Sequence, residues 1–319
     1  MTAAVQRRMG GAEWGYLLAL GFAWGGVFLF NRLALGDFPP FTLVFLRLGI
    51  AAPLLLALVH AQGERMPRSP KTWAAFFLMG ILNNALPFTL FVWAQQTISS
   101  GLASIINALT PVATALVCHA MTTDEKLTRA KAAGVLLGLA GVIALIGPGA
   151  LGGLGHDVIA ELVLLLAPIS YAFAGLWGRR FRELPVAVPA AGMVTCSALT
   201  MLPVALLHDE PWRLAPGLVA SLAVLATAVI ATALAYWLYF RILKTAGATN
   251  LLLVTILMPP IALLLGAIVL SERITGSALI GLGLIFLGLA AIDGRLLGWI
   301  GRRRGRRPAA PPLSSPQRR

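Results

Sequence analysis

The sequence predicts an all-α integral membrane protein, with ten transmembrane helices arranged as two inverted five-helix repeats. Three observations predict it. The 319 residues are 58% hydrophobic and only 12% charged, where soluble domains carry roughly a quarter charged residues. The nearly uncharged runs are each roughly 20 residues long, the length of helix that crosses ~30 Å of hydrocarbon. One long pattern also occurs twice: NALTPVATALVCHAMTTDEKLTRAKAAGVLLGLAG over 107–141, and TILMPPIALLLGAIVLSERITGSALIGLGLIFLG over 255–288. Pro111 and Pro259 anchor the copies. Behind them stand Glu125, Thr128, Gly134 and Gly141 in the first and Glu272, Thr275, Gly281 and Gly288 in the second. The separation is 148 residues at the prolines and 147 from the glutamates onward.

The runs cover 14–35, 41–60, 71–93, 99–120, 129–147, 158–178, 187–207, 216–240, 246–270 and 276–297. Inside hydrocarbon only helices and closed barrels satisfy every backbone group, and these segments are too long and too uniformly apolar for alternating barrel strands. The chain divides into an N-terminal arm (1–13), a first repeat (14–147), a second repeat (158–297) and a basic tail (298–319). Arg7 and Arg8 precede the first run, which reaches the length of a full span and lacks a small-residue cleavage site, so it reads as an uncleaved helix. Cys118 and Cys196 lie inside apolar runs and read as small buried hydrophobes.

Orientation follows from the basic residues. With a cytoplasmic N-terminus, 21 of the 25 Lys and Arg fall on that side: in the arm, in loops at 65–71, 126–131, 179–182 and 241–244, and in the tail from Arg295. The positive-inside bias therefore predicts both termini in the cytoplasm. Five spans precede the second copy, so it enters the membrane in the opposite direction. Two similar halves of opposite topology can exchange roles around a midplane site, which is the basis of alternating access. Earlier echoes agree: Ala85, Leu86 and Phe88 stand 148 residues before Ala233, Leu234 and Tyr236.

The chain resembles the drug/metabolite transporter superfamily, specifically its EamA-type ten-helix members, across 14–293. The match lies in Trp24-Gly25, the basic residue Arg32, Arg47 in the second span, and in each half the proline followed by Glu-x-x-Thr and two glycines. Val27 stands where a polar residue is common in the family, and Arg32 where Lys is common. The resemblance implies export or exchange of small metabolites, amino acids or drugs across the inner membrane, from a central cavity lined by spans one, three, four, six, eight and nine.

Read as chemistry, Pro111 and Pro259 lack an amide hydrogen, leaving the carbonyls of Asn107 and Thr255 without helical partners. Asn107 and Thr255 are themselves polar side chains in apolar helices, so each half is expected to place hydrogen-bonding groups and a gating bend at one level, against the plainer reading that the side chains merely repair the backbone at a common membrane-helix proline. Aromatic residues on plausible cavity faces are Trp24 and Phe28, Phe88, Tyr171, and Tyr236 with Tyr239, against the plainer reading that they pack or face lipid. Trp73, Trp212 and Trp299 fit interfacial anchoring. Arg47 is the sharpest residue, because a guanidinium inside a bilayer is costly and is usually paired or facing water. It is expected either to attract an anionic group of the substrate or to snorkel toward Asp37, while Arg32 snorkels from its helix end.

The twelve acidic residues avoid the middle thirds of the spans, Glu161 lying near a helix end, and the four histidines lie at span ends or in loops. Transport is therefore expected to be facilitated diffusion, exchange, or coupling through another group. Glu125 and Glu272, with Thr128 and Thr275, read as caps at the starts of the fifth and tenth helices. Gly134, Gly138, Gly141, Gly281 and Gly288 read as close-packing seams, within the chain or between two copies in a homodimer. The tail from Arg302 reads as disordered and as an anchor on anionic lipid; no aromatics interleave its arginines, which argues against nucleic acid.

The leading function is thus a secondary transporter of small organic solutes, an exporter or exchanger, with small-molecule substrate and bilayer as partners. No cofactor, metal ligand set or catalytic residue is expected. The alternative, a membrane-embedded lipid or phosphate transferase, would need clustered His, Asp, Glu or Cys at one membrane face, and the pairs Asp124-Glu125 and Asp209-Glu210 stand on opposite sides. A scaffold or receptor would leave the polar groups beside the repeated prolines without a purpose.

Overall fold

The structure, a computed structural model, describes residues 10–123, 128–146, 156–246, 251 and 253–293. Among these described residues ten membrane-directed helices follow one another: α1 (Gly11–Ala34), α2 (Pro40–Ala61), α3 (Pro70–Ala94), α4 (Ser100–Met121), α5 (Arg129–Ile146), α6 (His156–Leu164, continuing as Leu166–Gly178), α7 (Ala187–His208), α8 (Leu218–Thr245), α9 (Val254–Leu270) and α10 (Gly276–Asp293). Short polar or Pro-containing links separate them, and Pro40 and Pro70 occupy the first helical position, where a missing N–H costs nothing. Large apolar side chains such as Leu136, Ile143, Leu207, Leu264 and Ile268 point outward, as lipid contact demands.

The two repeats interlock. Helix α2 packs on α7 and α5 on α10, each a helix against its own repeat-equivalent, while α1 on α9 is mirrored by α6 on α4. Likewise α2 meets α8 as α7 meets α3. The buried apolar residues fall into two clusters, and neither cluster is one repeat. One is centred on α1, α4, α5, α6, α9 and α10, the other on α2, α3, α7 and α8.

The duplication extends to backbone irregularities. Ile81–Ala85 of α3 and Val229–Leu234 of α8 are single π-helical turns that begin 148 residues apart. A π turn inserts a residue into the i→i+4 ladder and loosens the backbone bonding, a feature enriched at functional positions. The proline helices differ. Helix α4 breaks after Asn107 and restarts at Thr110, with Pro111 in its first turn, whereas α9 runs unbroken through Pro259 and Pro260.

The glycine pattern is used inside the chain. A Cβ on Gly141 would lie 2.8 Å from the Gly281 carbonyl oxygen, and one on Gly288 would lie 2.6 Å from that of Gly134. The glycines therefore set the close approach of α5 to α10 within one chain.

One end of the bundle, carrying the 1–2, 3–4, 7–8 and 9–10 loops, is tied together by carboxylates that cap helices of the opposite repeat. Asp37 accepts from Gly217 N at 2.7 Å, before α8, and Asp209 accepts from Thr42 N at 2.6 Å in the first turn of α2. Glu272 accepts from Ser100 N at 2.9 Å, Ser100 Oγ at 2.9 Å and Gly101 N at 3.3 Å. Orphan amides and the positive helix end explain the attraction. Glu272 therefore caps α4 and not its own helix; Thr275 caps α10 through Ala278 N at 3.2 Å. Glu125 lies outside the described residues, as do Trp299 and the tail from Arg302. Asp37 is likewise committed to α8 and does not pair with Arg47.

At the same end Arg32 reaches the carbonyls of Gln95 and Gln96 at 2.5 and 3.2 Å, capping the C-terminus of α3. The fully buried Gln95 side chain receives Asn31 Nδ2 at 3.1 Å and donates to the Phe28 carbonyl at 2.8 Å. Trp73 lies at the opposite end and donates to the Pro67 carbonyl at 2.8 Å, while Trp212 is exposed. Cys118 and Cys196 are buried thiols, not joined in a disulfide.

Candidate functional site

Arg47 lies two turns into α2 and is only 6% exposed. Its Nε donates to Thr232 Oγ1 of α8 at 2.9 Å, and its guanidinium carbon sits 3.7 Å from the centre of the Phe88 ring of α3. Cation–π attraction strengthens when the pair is desolvated. Among the described residues no carboxylate pairs with it.

The π turns place the partners. Thr232 lies in the turn of α8, and its hydroxyl donates to the Thr227 carbonyl at 2.8 Å, five residues back. That leaves the oxygen free to accept from Arg47. In α3 the repeat-equivalent residue, Asn84, donates through Nδ2 to Ser197 Oγ of α7 at 3.2 Å, and Ser197 donates to the Met193 carbonyl at 2.6 Å. The duplicated geometry thus joins α8 to α2 and α3 to α7, with a charge in one copy and neutral groups in the other.

Aromatic side chains surround this level at the border of the two apolar clusters. Tyr171 and Tyr236 are within electrostatic range of Arg47. Tyr236 receives Asn83 Nδ2 at 3.4 Å and stacks with Phe240 at 6.0 Å between ring centres. Tyr239 contacts Tyr236 at 6.5 Å and Trp24 at 6.0 Å, and Tyr171 stacks on Phe91 at 6.5 Å. Trp24, Phe88, Tyr171, Tyr236 and Tyr239 are each only partly buried, so they form an aromatic wall that is not fully absorbed into packing.

The structure brings most of the expected residues together but not all. Phe28 is 2% exposed and packs edge-on against Phe91 at 5.6 Å, so it supports the wall from behind. Asn107 stands on α4 outside the hydrogen-bonded set around Arg47. Its carbonyl, freed by Pro111, accepts from Thr110 Oγ1 at 2.7 Å, so the proline's vacancy is filled locally. Thr255 is half-buried near the start of α9, and the buried Pro259 packs where Gly25 lets α1 approach: a Cβ there would lie 3.0 Å from the Met258 carbonyl oxygen. Helix α2, absent from the implied lining, supplies the charge.

Asn83, Asn84, Ser170, Ser197 and Thr232 were missed at the level of sequence. Ser170 donates to the Leu82 carbonyl at 2.7 Å, tying α6 to the π turn of α3. The signal was present: Asn83-Asn84 is a pair of amides in a span otherwise rich in apolar residues, and buried amides need partners. Glu161, expected near a helix end, is buried at 8% exposure on α6.

Comparison with known proteins agrees with this architecture. The EamA-like transporter family matches residues 13–147 and again 158–292. The chain is 27% identical over 281 residues to YedA of Escherichia coli strain K12, named an uncharacterized inner membrane transporter, covering 87% of this chain and 89% of that one. It is 21% identical to the uncharacterized transporter YoaV of Bacillus subtilis, covering 86% and 94%, and 25% identical to the protein PecM of Dickeya dadantii, covering 76% and 83%. A solved crystal structure superposes with a TM-score of 0.65 over 93% of this chain and 100% of its own, at 22% identity. With two family matches that together take in most of its length, the chain belongs to the EamA-like transporter family.

Proposed function

We propose that this membrane transporter is a secondary transporter that exports or exchanges small organic solutes by alternating access across the cytoplasmic membrane, with both termini inside. The observation that carries this reading is the Arg47–Thr232 contact within an aromatic wall, buried where two inverted halves meet and flanked by duplicated π turns. Inverted halves around one site have two equivalent ways to pack, one open to each side. The carboxylate caps on α2, α4 and α8 hold one end of the bundle, which the basic-residue count places outside. Relatives named as transporters, one of them of the inner membrane, support the same reading.

Metabolite profiling of the medium from cells lacking or overproducing the protein tests it, followed by counterflow of the identified solute in proteoliposomes. The expected result is a solute that accumulates outside on overproduction and exchanges chemically unchanged. Recovery of a covalently altered solute would point to a transferase instead. Labelling of a cysteine placed at Gln96, in a background without Cys118 and Cys196, checks the orientation: impermeant reagent reaches it from outside.

A further inference from the structure

We propose that the solute is an organic anion, a carboxylate carried on an apolar or aromatic body, and that Arg47 forms its anion subsite. This rests on the transporter reading and deepens it. A guanidinium presents five N–H donors. Arg47 commits one, Nε, to Thr232, and its four terminal N–H groups have no hydrogen-bond partner among the described residues. A guanidinium N–H can only donate, so what completes these groups must be an acceptor.

Charge narrows the class. Phe88 and Thr232 compensate the buried cation only in part, since neither carries a negative charge. A carboxylate offers two acceptor oxygens in the geometry that a guanidinium fork matches, with charge-assisted bonds roughly twice as strong as neutral ones. An amine would add a second cation beside the first. The repeat-related helix pair sharpens the point: between α3 and α7 Asn84 donates to Ser197, both of them neutral, so the fold does not require a cation here. The apolar body follows from the rings near this level, Phe88 under the guanidinium and the linked Tyr236, Tyr239 and Trp24.

The test uses full-length protein in lipid nanodiscs and three probes of one shape: 3-phenylpropionate, 3-phenylpropanamide and 3-phenylpropylamine, titrated by calorimetry. The carboxylate is expected to bind at least about tenfold more tightly than the amide, with the amine weakest, because a site built for an acceptor is left unpaired by the other two. Arg47→Gln is expected to erase the difference and Arg47→Lys to keep part of it; Phe88→Leu, which retains the charge, is expected to weaken all three probes together. Melting temperature and monodispersity confirm that each variant is folded. Equal binding of carboxylate and amide, preference for the amine, a carboxylate preference that survives Arg47→Gln, or no binding of any probe overturns the proposal. Arg47-dependent binding without counterflow of the same carboxylate overturns the transporter reading and leaves the anion subsite standing.

Discussion

Thr232 accepts a hydrogen bond from Arg47 at 2.9 Å at the position where, 148 residues earlier, Asn84 bonds Ser197 at 3.2 Å. The repeat has conserved a place in the backbone, the π turn, and a helix pairing, while the chemistry at that place has diverged. A two-fold scaffold thereby holds a one-sided charge.

Thr232→Val removes the acceptor for Arg47 Nε and the donor to the Thr227 carbonyl while keeping the shape. Stranding buried polar groups costs about 1–3 kcal/mol, so the melting temperature in detergent should fall. Thr232→Ser, which restores the hydroxyl, should recover most of it. An unchanged melting temperature for the valine variant would show that the contact carries no stability.

Glu272→Ala uncaps α4 from the other repeat. A lost side-chain cap costs about 1–2 kcal/mol, and the amides of Ser100 and Gly101 should exchange hydrogen faster by mass spectrometry while those in the middle of α7 stay protected. If exchange rises first at the start of α10, the cap belongs to Glu272's own helix after all.

Gly288→Ala and Gly283→Ala lie five residues apart on α10 and should differ in sign. A methyl at Gly288 meets the Gly134 carbonyl at 2.6 Å and the Gly138 amide nitrogen at 3.0 Å, whereas one at Gly283 meets nothing within 4 Å. Overpacking should destabilise the first by about 1–3 kcal/mol, and the second should gain up to about 1 kcal/mol from helix propensity. Parallel thermal melts decide, and equal effects would remove the α5–α10 seam.

Flux of an ionised carboxylate should change less than about twofold between pH 6 and 8, since the titratable members of the Arg47 cluster are an arginine and tyrosines, whose ordinary values lie well above that range. Proteoliposomes with and without an imposed proton gradient check it. Strong acceleration by the gradient would place a coupling group elsewhere in the chain.

The sequence alone determined the class, the span count, the duplication and its inversion, because burial in lipid is written in runs of apolar residues that need no partner to be recognised. It also singled out Arg47, since an isolated cation in such a run has no inexpensive neutral explanation. Only the tertiary structure decided which residues meet. Glu272, read as a local cap, reaches α4, and the Asn107 carbonyl is satisfied by Thr110 within its own turn. The π turns decide that Thr232 and Asn84 face neighbouring helices, and no periodicity of apolar residues announces such a shift in register. Partner choice depends on distances between segments far apart in the chain, and those are fixed by how the two halves interlock.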